Sequence, residues 1–245
     1  MKQLLLICLL FISEQVCTQT LEITYLQSVS FTGKKPNYDT GNLKISGNYS
    51  LYSLRLSPKE KTKAENTDFL IDLSESIQFQ SLLNMATNER NTRDYVFTKP
   101  YLIKEKDTRP VWVITTEKKK IGEYVCTKAT TEFRGRKYSA WFTADIPVNT
   151  GPWKLCGLPG LILEANDTQN EIRFQLIKLK TIPDNLKLEI NEAAMLTSIT
   201  WDEFKTLYNQ KLISLKKLLY AKSGGADYET TANIIPNTIE KTIFQ

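Results

Sequence analysis

The sequence of 245 residues contains no histidine. This absence excludes the Ser-His-Asp and Cys-His arrangements in which an imidazole activates a nucleophile, the HExxH zinc site, and histidine-ligated haem or copper. Cysteine is scarce too, with four residues, and Cys126 with Cys156 would be too few ligands for a zinc site. The sequence also lacks a P-loop, a G-x-G-x-x-G motif and a CxxC motif. We therefore expect neither a metal nor a cofactor.

The sequence also lacks an apolar run long enough to cross a bilayer. The longest run, residues 4–12, has about nine residues, whereas a transmembrane helix needs about 20. Lys2 precedes this run and polar residues follow it, which is typical of a secretory signal peptide. We assign the signal to residues 1–18. Lipidation at Cys17 is the alternative, although residues 14–16 lack the small side chains of a lipobox. The protein is thus expected to be exported, and to be periplasmic, associated with the outer membrane or secreted.

Charge and composition indicate a folded domain with an ordinary surface. Lysine and arginine total 32 against 27 acidic residues, and the net charge of +5 is spread along the chain. Nucleic-acid binding usually requires a concentrated basic stripe, so no nucleic-acid partner is expected. Apolar residues make up 41% of the chain, as in globular proteins. We predict one β-rich domain at residues 19–222 and a loosely attached polar tail at residues 223–245.

Alternating apolar and polar residues predict a mainly β (α+β) fold, an antiparallel β-meander that could be curved or form a half-barrel. Residues 117–120 form a predicted charged turn, and Arg134-Gly135 a tight reversal. Residues 69–89 fit neither the strand nor the helix period. Strands are predicted within residues 21–31, 43–56, 95–97, 101–104, 111–116, 121–133, 137–143, 161–165 and 171–179, and a further strand could lie within 186–198.

A C-terminal amphipathic helix is predicted over residues 200–222. Thr200 is the expected N-cap, and Glu203 completes a capping box. Apolar residues follow at helical spacing, with lysines on the other face. Packing of this helix on the sheet is the favoured interpretation, and a membrane-surface helix is the alternative.

Export also changes the meaning of the cysteines. Removal of the signal leaves Cys126 and Cys156, and an even pair in an oxidising compartment suggests a disulfide. The alternative, of equal weight, is two separate buried thiols. Neither cysteine is expected to act as a nucleophile, because no histidine can activate it.

The most unusual stretch is residues 151–164, written GPWKLCGLPGLILE. Leu158-Pro159-Gly160-Leu161 has the pattern of a type II turn, in which proline presets φ and glycine supplies the positive φ. Gly157 could let the backbone pass close to another element. We expect this stretch to form a structural corner and not to perform chemistry. The residues of this structural motif are Gly151, Pro152, Gly157, Leu158, Pro159, Gly160, Leu161 and Ile162.

The hexapeptide at residues 157–162 is GLPGLI, and it resembles the signature of the GLPGLI family of secreted Bacteroidetes proteins. The preceding block strengthens this resemblance, which is specific over residues 126–174. It includes residues 133–136 (FRGR), 138–143 (YSAWFT) and 151–153 (GPW). The resemblance implies an exported protein of a family without an established activity.

Two kinds of candidate site remain. Basic and aromatic residues, Arg134, Arg136, Trp141 and Trp153, could bind a ligand or partner, although hairpin-end and core-packing roles are the simpler interpretation. The carboxylates Asp145, Glu164 and Asp167 flank the corner and could serve a hydrolase, which needs two carboxylates held ~5–10 Å apart.

We therefore expect a non-catalytic envelope protein, although catalysis by the carboxylates stays open. The partner or ligand is unknown. An envelope or outer-membrane protein, or a lipid-like ligand held by the curved sheet, would fit. The alternatives are a carboxylate-dependent hydrolase and an accessory subunit of an outer-membrane receptor.

Overall fold

The computed structural model describes residues 19–30, 36–55 and 78–222. The predicted signal peptide (1–18) and tail (223–245) lie outside the described residues, as does the first part of the ambiguous segment 69–89, up to residue 77. The described elements are β1 (Thr20–Val29), β2 (Asn37–Ser46), β3 (Tyr49–Arg55), β4 (Gln78–Asn84), β5 (Glu89–Val96), β6 (Lys99–Lys106), β7 (Val113–Ile121), β8 (Tyr124–Phe133), β9 (Arg136–Thr143), β10 (Leu161–Asp167), β11 (Ile172–Ile182), a 3₁₀ helix (Ala193–Met195), β12 (Thr197–Thr200) and α1 (Trp201–Lys222).

All twelve described strands belong to one open sheet, in the order β12-β6-β5-β4-β3-β2-β1-β11-β10-β9-β8-β7. It consists of two antiparallel meanders, β1 to β6 and β7 to β11, joined where β1 pairs antiparallel with β11. The mainly β prediction is confirmed. The sheet is mixed and not wholly antiparallel, because the short β12 pairs parallel with β6.

The sheet curls, and the length of one connection shows why. β6 lies next to one edge of the sheet and β7 forms the other edge, yet only residues 107–112 join them. In a flat sheet the two strands would lie about 48 Å apart. The connection can span at most about 25 Å even when extended. The sheet therefore curves until the β6 and β7 regions approach each other, but β12 and β7 do not pair, so no barrel closes.

The inner side of this curl is occupied by residues 144–160, which we call the β9–β10 segment. Its Trp153 contacts the Tyr138 ring at a centroid distance of 6.2 Å, and its Thr150 hydroxyl lies 3.0 Å from that of Ser50 on β3. The side chains of Leu155 and Leu158 are buried. The segment thus completes the main core, which a one-layer sheet could not close alone.

Two glycines explain how this segment makes its corner. Gly160 does not occupy the predicted type II turn, because its φ is 158° and its N–H donates to Leu158 O at 2.8 Å, which closes a three-residue turn. Glycine fits there because a Cβ would lie 2.0 Å from Thr143 O. At Gly157 the backbone conformation, and not a close contact, favours glycine. Its φ of 93° favours glycine, whereas a Cβ would meet its nearest neighbour at an ordinary 3.7 Å.

Helix α1 begins as predicted. Glu203 N donates to Thr200 Oγ1 at 3.3 Å, and Thr200 N donates to Glu203 Oε2 at 2.7 Å, so the capping box is confirmed. Phe204 is buried against Val96 and Ile103 of β5 and β6, as the sheet-packing interpretation requires. Among the described residues, no helix combines the length and apolar character needed to traverse a bilayer.

Besides the turn at Gly160, two other local predictions are wrong. Residues 117–120 lie inside β7, which has an irregularity between Ile114 and Lys118, and the reversal follows at Gly122. Residues 186–196 do not form a strand. Instead, Ile190 and Leu196 pack their side chains on Leu51 and Leu102, on the side of the sheet away from α1. Side-chain packing thus replaces strand pairing along this return path, and only Thr197–Thr200 pairs with β6.

Candidate functional site

A buried ion network joins the β9–β10 segment to β6. Lys154 Nζ lies 3.1 Å from Glu105 Oε2, and Arg134 donates to Glu105 Oε1. Glu105 and Lys154 expose no more than 1% of their side chains, and Arg134 exposes 11%. Burial raises the pKa of Glu105, but Lys154 and Arg134 together lower it more, so the pKa lies below its usual value of 4.5. The Glu105 carboxylate thus forms ion pairs with two cations.

Local structure places each member of this network. Glu105 follows Tyr101 and Ile103 at alternate positions of β6 and therefore faces the same side as α1. Arg134 and Gly135 have φ values of 53° and 76°, as in the two-residue type I′ turn of a hairpin. The predicted reversal at Arg134-Gly135 is therefore confirmed, and it directs the arginine towards β6.

An aromatic ring at the start of α1 covers these cations. The Trp201 centroid lies 4.3 Å from the Arg134 Cζ and 4.9 Å from Lys154 Nζ. Phe133 also contacts Arg134, with its ring centroid 5.4 Å from the Arg134 Cζ. Such contacts stabilise a cation and fix the plane of a guanidinium group.

A groove of about 480 Å³ opens over this network, where β6, the 107–112 connection, the β8–β9 turn and α1 meet. It is open to solvent on one side, and its lining combines charged and aromatic side chains. The lining residues are Lys104, Glu105, Lys106, Asp107, Thr108, Arg109, Phe133, Arg134 and Trp201.

Arg90 extends the network beneath the segment. Its guanidinium donates to Ser81 Oγ at 2.8 Å, to Lys154 O at 3.2 Å and to Cys156 Sγ at 3.3 Å. These bonds hold the backbone and one thiol of the β9–β10 segment against β5. They stabilise the floor of the groove.

The four predicted binding residues do not form one site. Arg134 lines the groove. Arg136 is buried and donates to Asp167 Oδ2 at 2.7 Å and to Glu171 Oε2 at 2.5 Å. Trp153 is 4% exposed in the core. Trp141 lies on the opposite face of β9 from the core residue Phe142. Its ring centroid is 4.6 Å from Lys119 Nζ.

Two of the three predicted carboxylates, Asp167 and Glu164, are paired with different cations. Asp167 accepts from Arg136 through Oδ2 and from Ile172 N through Oδ1, at 3.1 Å, so both of its oxygens are occupied. Glu164 pairs with Lys119, and Asp145 is exposed at the start of the β9–β10 segment. Within the described part of the chain, no group of three or more His, Cys, Asp or Glu side chains could hold a metal ion.

Cys126 and Cys156 are both free and buried. Cys126 lies on β8, where its thiol contacts Tyr124 O at 3.8 Å, while Cys156 lies beside Arg90. The structure therefore has the two separate buried thiols and not the disulfide. Burial raises the pKa of Cys126 to about 11 and also raises that of Cys156, although Arg90 partly opposes the second shift.

The sequence analysis did not identify Glu105, Lys154, Arg109 or Trp201 as site residues. Two signals were present. Glu105 continues the alternation of Tyr101 and Ile103, so a carboxylate falls on a buried strand face, and Lys154 stands between the apolar residues Trp153 and Leu155. A charge in an apolar pattern of this kind indicates a buried ion pair.

Comparisons with known proteins agree with a family of unknown function and with the fold. Residues 133–164 match a protein-family model described as "Protein of unknown function (Porph_ging)". A comparison with curated proteins gives no match. Two crystal structures of PNGF-II, in space groups C2 and P21, are similar to the chain at 22% and 23% identity, each with a TM-score of 0.53.

This structural likeness shows the fold alone. It covers 78% of the present chain but only 32% and 33% of the two PNGF-II chains. The chain therefore spans about a third of the length of the structures it matches. The family match covers both the β8–β9 turn with Arg134 and the β9–β10 segment with Lys154.

Proposed function

We propose that the protein is an exported, non-catalytic cell-envelope protein of the GLPGLI type, and that it binds a protein partner through the groove between β6, the β8–β9 turn and α1. The observation that carries this proposal is the groove itself. Its charged and aromatic lining lies on a floor fixed by the Glu105, Lys154 and Arg134 network. A preorganised floor lowers the entropic cost of binding.

An apolar ligand inside the curled sheet is less well supported. The β9–β10 segment occupies this side with its own Trp153, Leu155 and Leu158, all buried. A lipid-like ligand would have to displace these side chains and the ion network with them. The accessory subunit of an outer-membrane receptor remains one form of the partner-binding proposal.

The hydrolase alternative has weaker geometric support. Glu164 and Asp167 are separately paired with Lys119 and Arg136. Asp167 and its ion pair are buried. Asp145 is exposed, but a mechanism with two carboxylates would require a second one that is free to act on a substrate.

Native mass spectrometry of the mature protein, purified under gentle conditions from its own host, tests the proposal. We expect a stoichiometric protein companion with the wild-type chain. Arg109→Glu inverts an exposed charge of the groove and should release the companion. Lys178→Glu makes the same change of charge on β11, away from the groove, and should retain it.

Two results would contradict partner binding through the groove. A bare monomer in the wild-type sample would show that the protein has no stable protein companion. A companion lost equally from both variants would show that net charge, and not the groove, determines binding. A bound small molecule of reproducible mass would instead support the ligand alternative.

A further inference from the structure

The rim of the groove carries two cations that are free of ion pairs with any described residue. Lys104 and Arg109 are both exposed. Neighbouring cations differ in this respect, since Lys106 pairs with Glu89 at 2.9 Å and Arg134 pairs with Glu105. The rim therefore offers two positive charges that no residue in the described part of the chain neutralises through an ion pair.

The floor offers a different kind of contact. Trp201 and Phe133 lie beside Arg134, with their ring centroids 4.3 Å and 5.4 Å from its Cζ. Both rings are half-buried and line the groove. An apolar side chain of a ligand could pack on their accessible surface while its charged neighbours remain at the rim.

We infer that the groove binds an acidic segment of the partner, with carboxylates at Lys104 and Arg109 and an apolar side chain against Trp201 and Phe133. This inference rests on the proposed function and adds the chemistry that the partner presents. A planar carboxylate matches the two parallel N–H bonds that arginine can donate. The open shape favours an extended peptide over a small molecule, which usually occupies a more enclosed pocket.

A densely charged polyanion fits the groove less well. Asp107 lies exposed at the same rim, and Glu105 is part of the floor. These two carboxylates weaken the attraction that the four cations of the lining exert on a ligand with one negative charge on every unit. A segment whose carboxylates are interrupted by apolar residues fits better, because only some of its carboxylates need to approach the rim and an apolar side chain can pack on Trp201 and Phe133.

Fluorescence anisotropy with labelled peptides tests the inference on the full mature chain. The probe is a fluorescein-labelled peptide of sequence Glu-Glu-Phe-Glu-Glu-Phe, and the matched control peptide has glutamine in place of every glutamate. We expect saturable binding of the acidic peptide, weakened as salt screens the charges. The glutamine peptide should bind at least about tenfold more weakly, since hydrogen bonds to charged groups exceed neutral ones by about this factor.

Protein variants locate the site. Arg109→Gln and Lys104→Gln should each weaken binding about three- to tenfold, and the double variant should weaken it further. Both residues are exposed, so neither change should affect folding, which circular dichroism checks. Lys178→Gln, with the same loss of charge on β11, should bind as the wild type does.

Several outcomes would overturn the inference. Equal binding of the two peptides, or equal weakening by Lys178→Gln, would show that the groove does not recognise carboxylates. Full displacement of the peptide by millimolar inorganic phosphate would show that the rim binds a small free anion and not an acidic segment. If a groove-dependent companion appears in native mass spectrometry but the acidic peptide does not bind, the proposed function stands and only the ligand chemistry is wrong.

Discussion

Lys154 Nζ and Glu105 Oε2 are 3.1 Å apart, and the two side chains are almost completely removed from solvent. The lysine belongs to the β9–β10 segment and the glutamate to β6. These parts of the chain adjoin only because the sheet curls. The pair therefore fastens the segment to the far side of the sheet, and its loss should affect the whole inner core.

Removal of Glu105 should destabilise the protein more than removal of Lys154. Glu105→Gln leaves the Lys154 and Arg134 charges without their shared carboxylate, and loss of one partner from a buried pair costs about 3–5 kcal/mol. Lys154→Met retains most of the apolar stem and leaves Glu105 paired with Arg134, so it should cost less. Guanidinium unfolding measures both free energies. Equal losses, or a wild-type midpoint for Glu105→Gln, would contradict the shared-carboxylate arrangement.

Acid should weaken the protein in part through Glu105. Its pKa in the folded state lies below the ordinary 4.5, because Lys154 and Arg134 outweigh the effect of burial. The unfolded chain therefore takes up a proton more readily than the folded one. The contribution of Glu105 to stability is complete above pH 4.5 and is lost as the pH falls through the folded-state pKa of this residue.

The matched measurement is the free energy of unfolding against pH for the wild type and Glu105→Gln. The variant starts less stable, but it should lose less stability below pH 4.5, because it lacks this titrating group. Parallel curves throughout the acidic range would mean that Glu105 does not have a lowered pKa.

The sequence predicted those parts of the fold that local patterns determine. The hairpin at Arg134-Gly135 follows from its turn residues, and the start of α1 follows from Thr200 and Glu203. Alternation also identified β9, which the sequence predicted within residues 137–143. Alternation could not say which face would be covered, because the covering segment comes later in the chain.

The site depends on contacts that local patterns do not determine. Glu105 and Lys154 are 49 positions apart, and they meet only through the β1–β11 pairing and the curl of the sheet. Trp201 was expected as the first residue of a helix, but its position over Arg134 depends on where that helix docks. The irregular path of residues 186–196 was missed because packing on the sheet leaves a strand-like apolar pattern without strand pairing.

Gly160→Ala should destabilise the corner of the β9–β10 segment. A Cβ at this position would lie 2.0 Å from Thr143 O, so backbone must move, and overpacking of a core costs about 1–3 kcal/mol. Gly122→Ala is the matched control, because Gly122 has a positive φ of 59° in a hairpin with no atom within 4 Å of the added Cβ.

Gly122→Ala should therefore lower the free energy of unfolding by only about 1–2 kcal/mol, which is the cost of placing alanine at a positive φ. Thermal unfolding of both variants compares the two effects, at about 2–4 °C for each kcal/mol in a chain of this size. A smaller loss for Gly160→Ala than for Gly122→Ala would show that the segment yields at Thr143, and that close approach is not the reason for this glycine.

The two buried thiols should remain reduced and unreactive in the folded protein. Iodoacetamide attacks the thiolate, and burial raises the pKa of Cys126 to about 11 and raises that of Cys156. At pH 8 we expect neither to react in native buffer. After unfolding in guanidinium without a reductant, peptide mapping should find both cysteines alkylated.

A sample reduced before unfolding is the control and should give the same two alkylated peptides. A disulfide would behave differently, because the peptides that contain Cys126 and Cys156 would resist alkylation until a reductant was added. It would also require Cys156 to leave the Arg90 guanidinium, 3.3 Å from its sulfur. Since Arg90 holds Lys154 O as well, such a rearrangement would disturb the floor of the groove, and it should be visible as weaker binding of the acidic peptide.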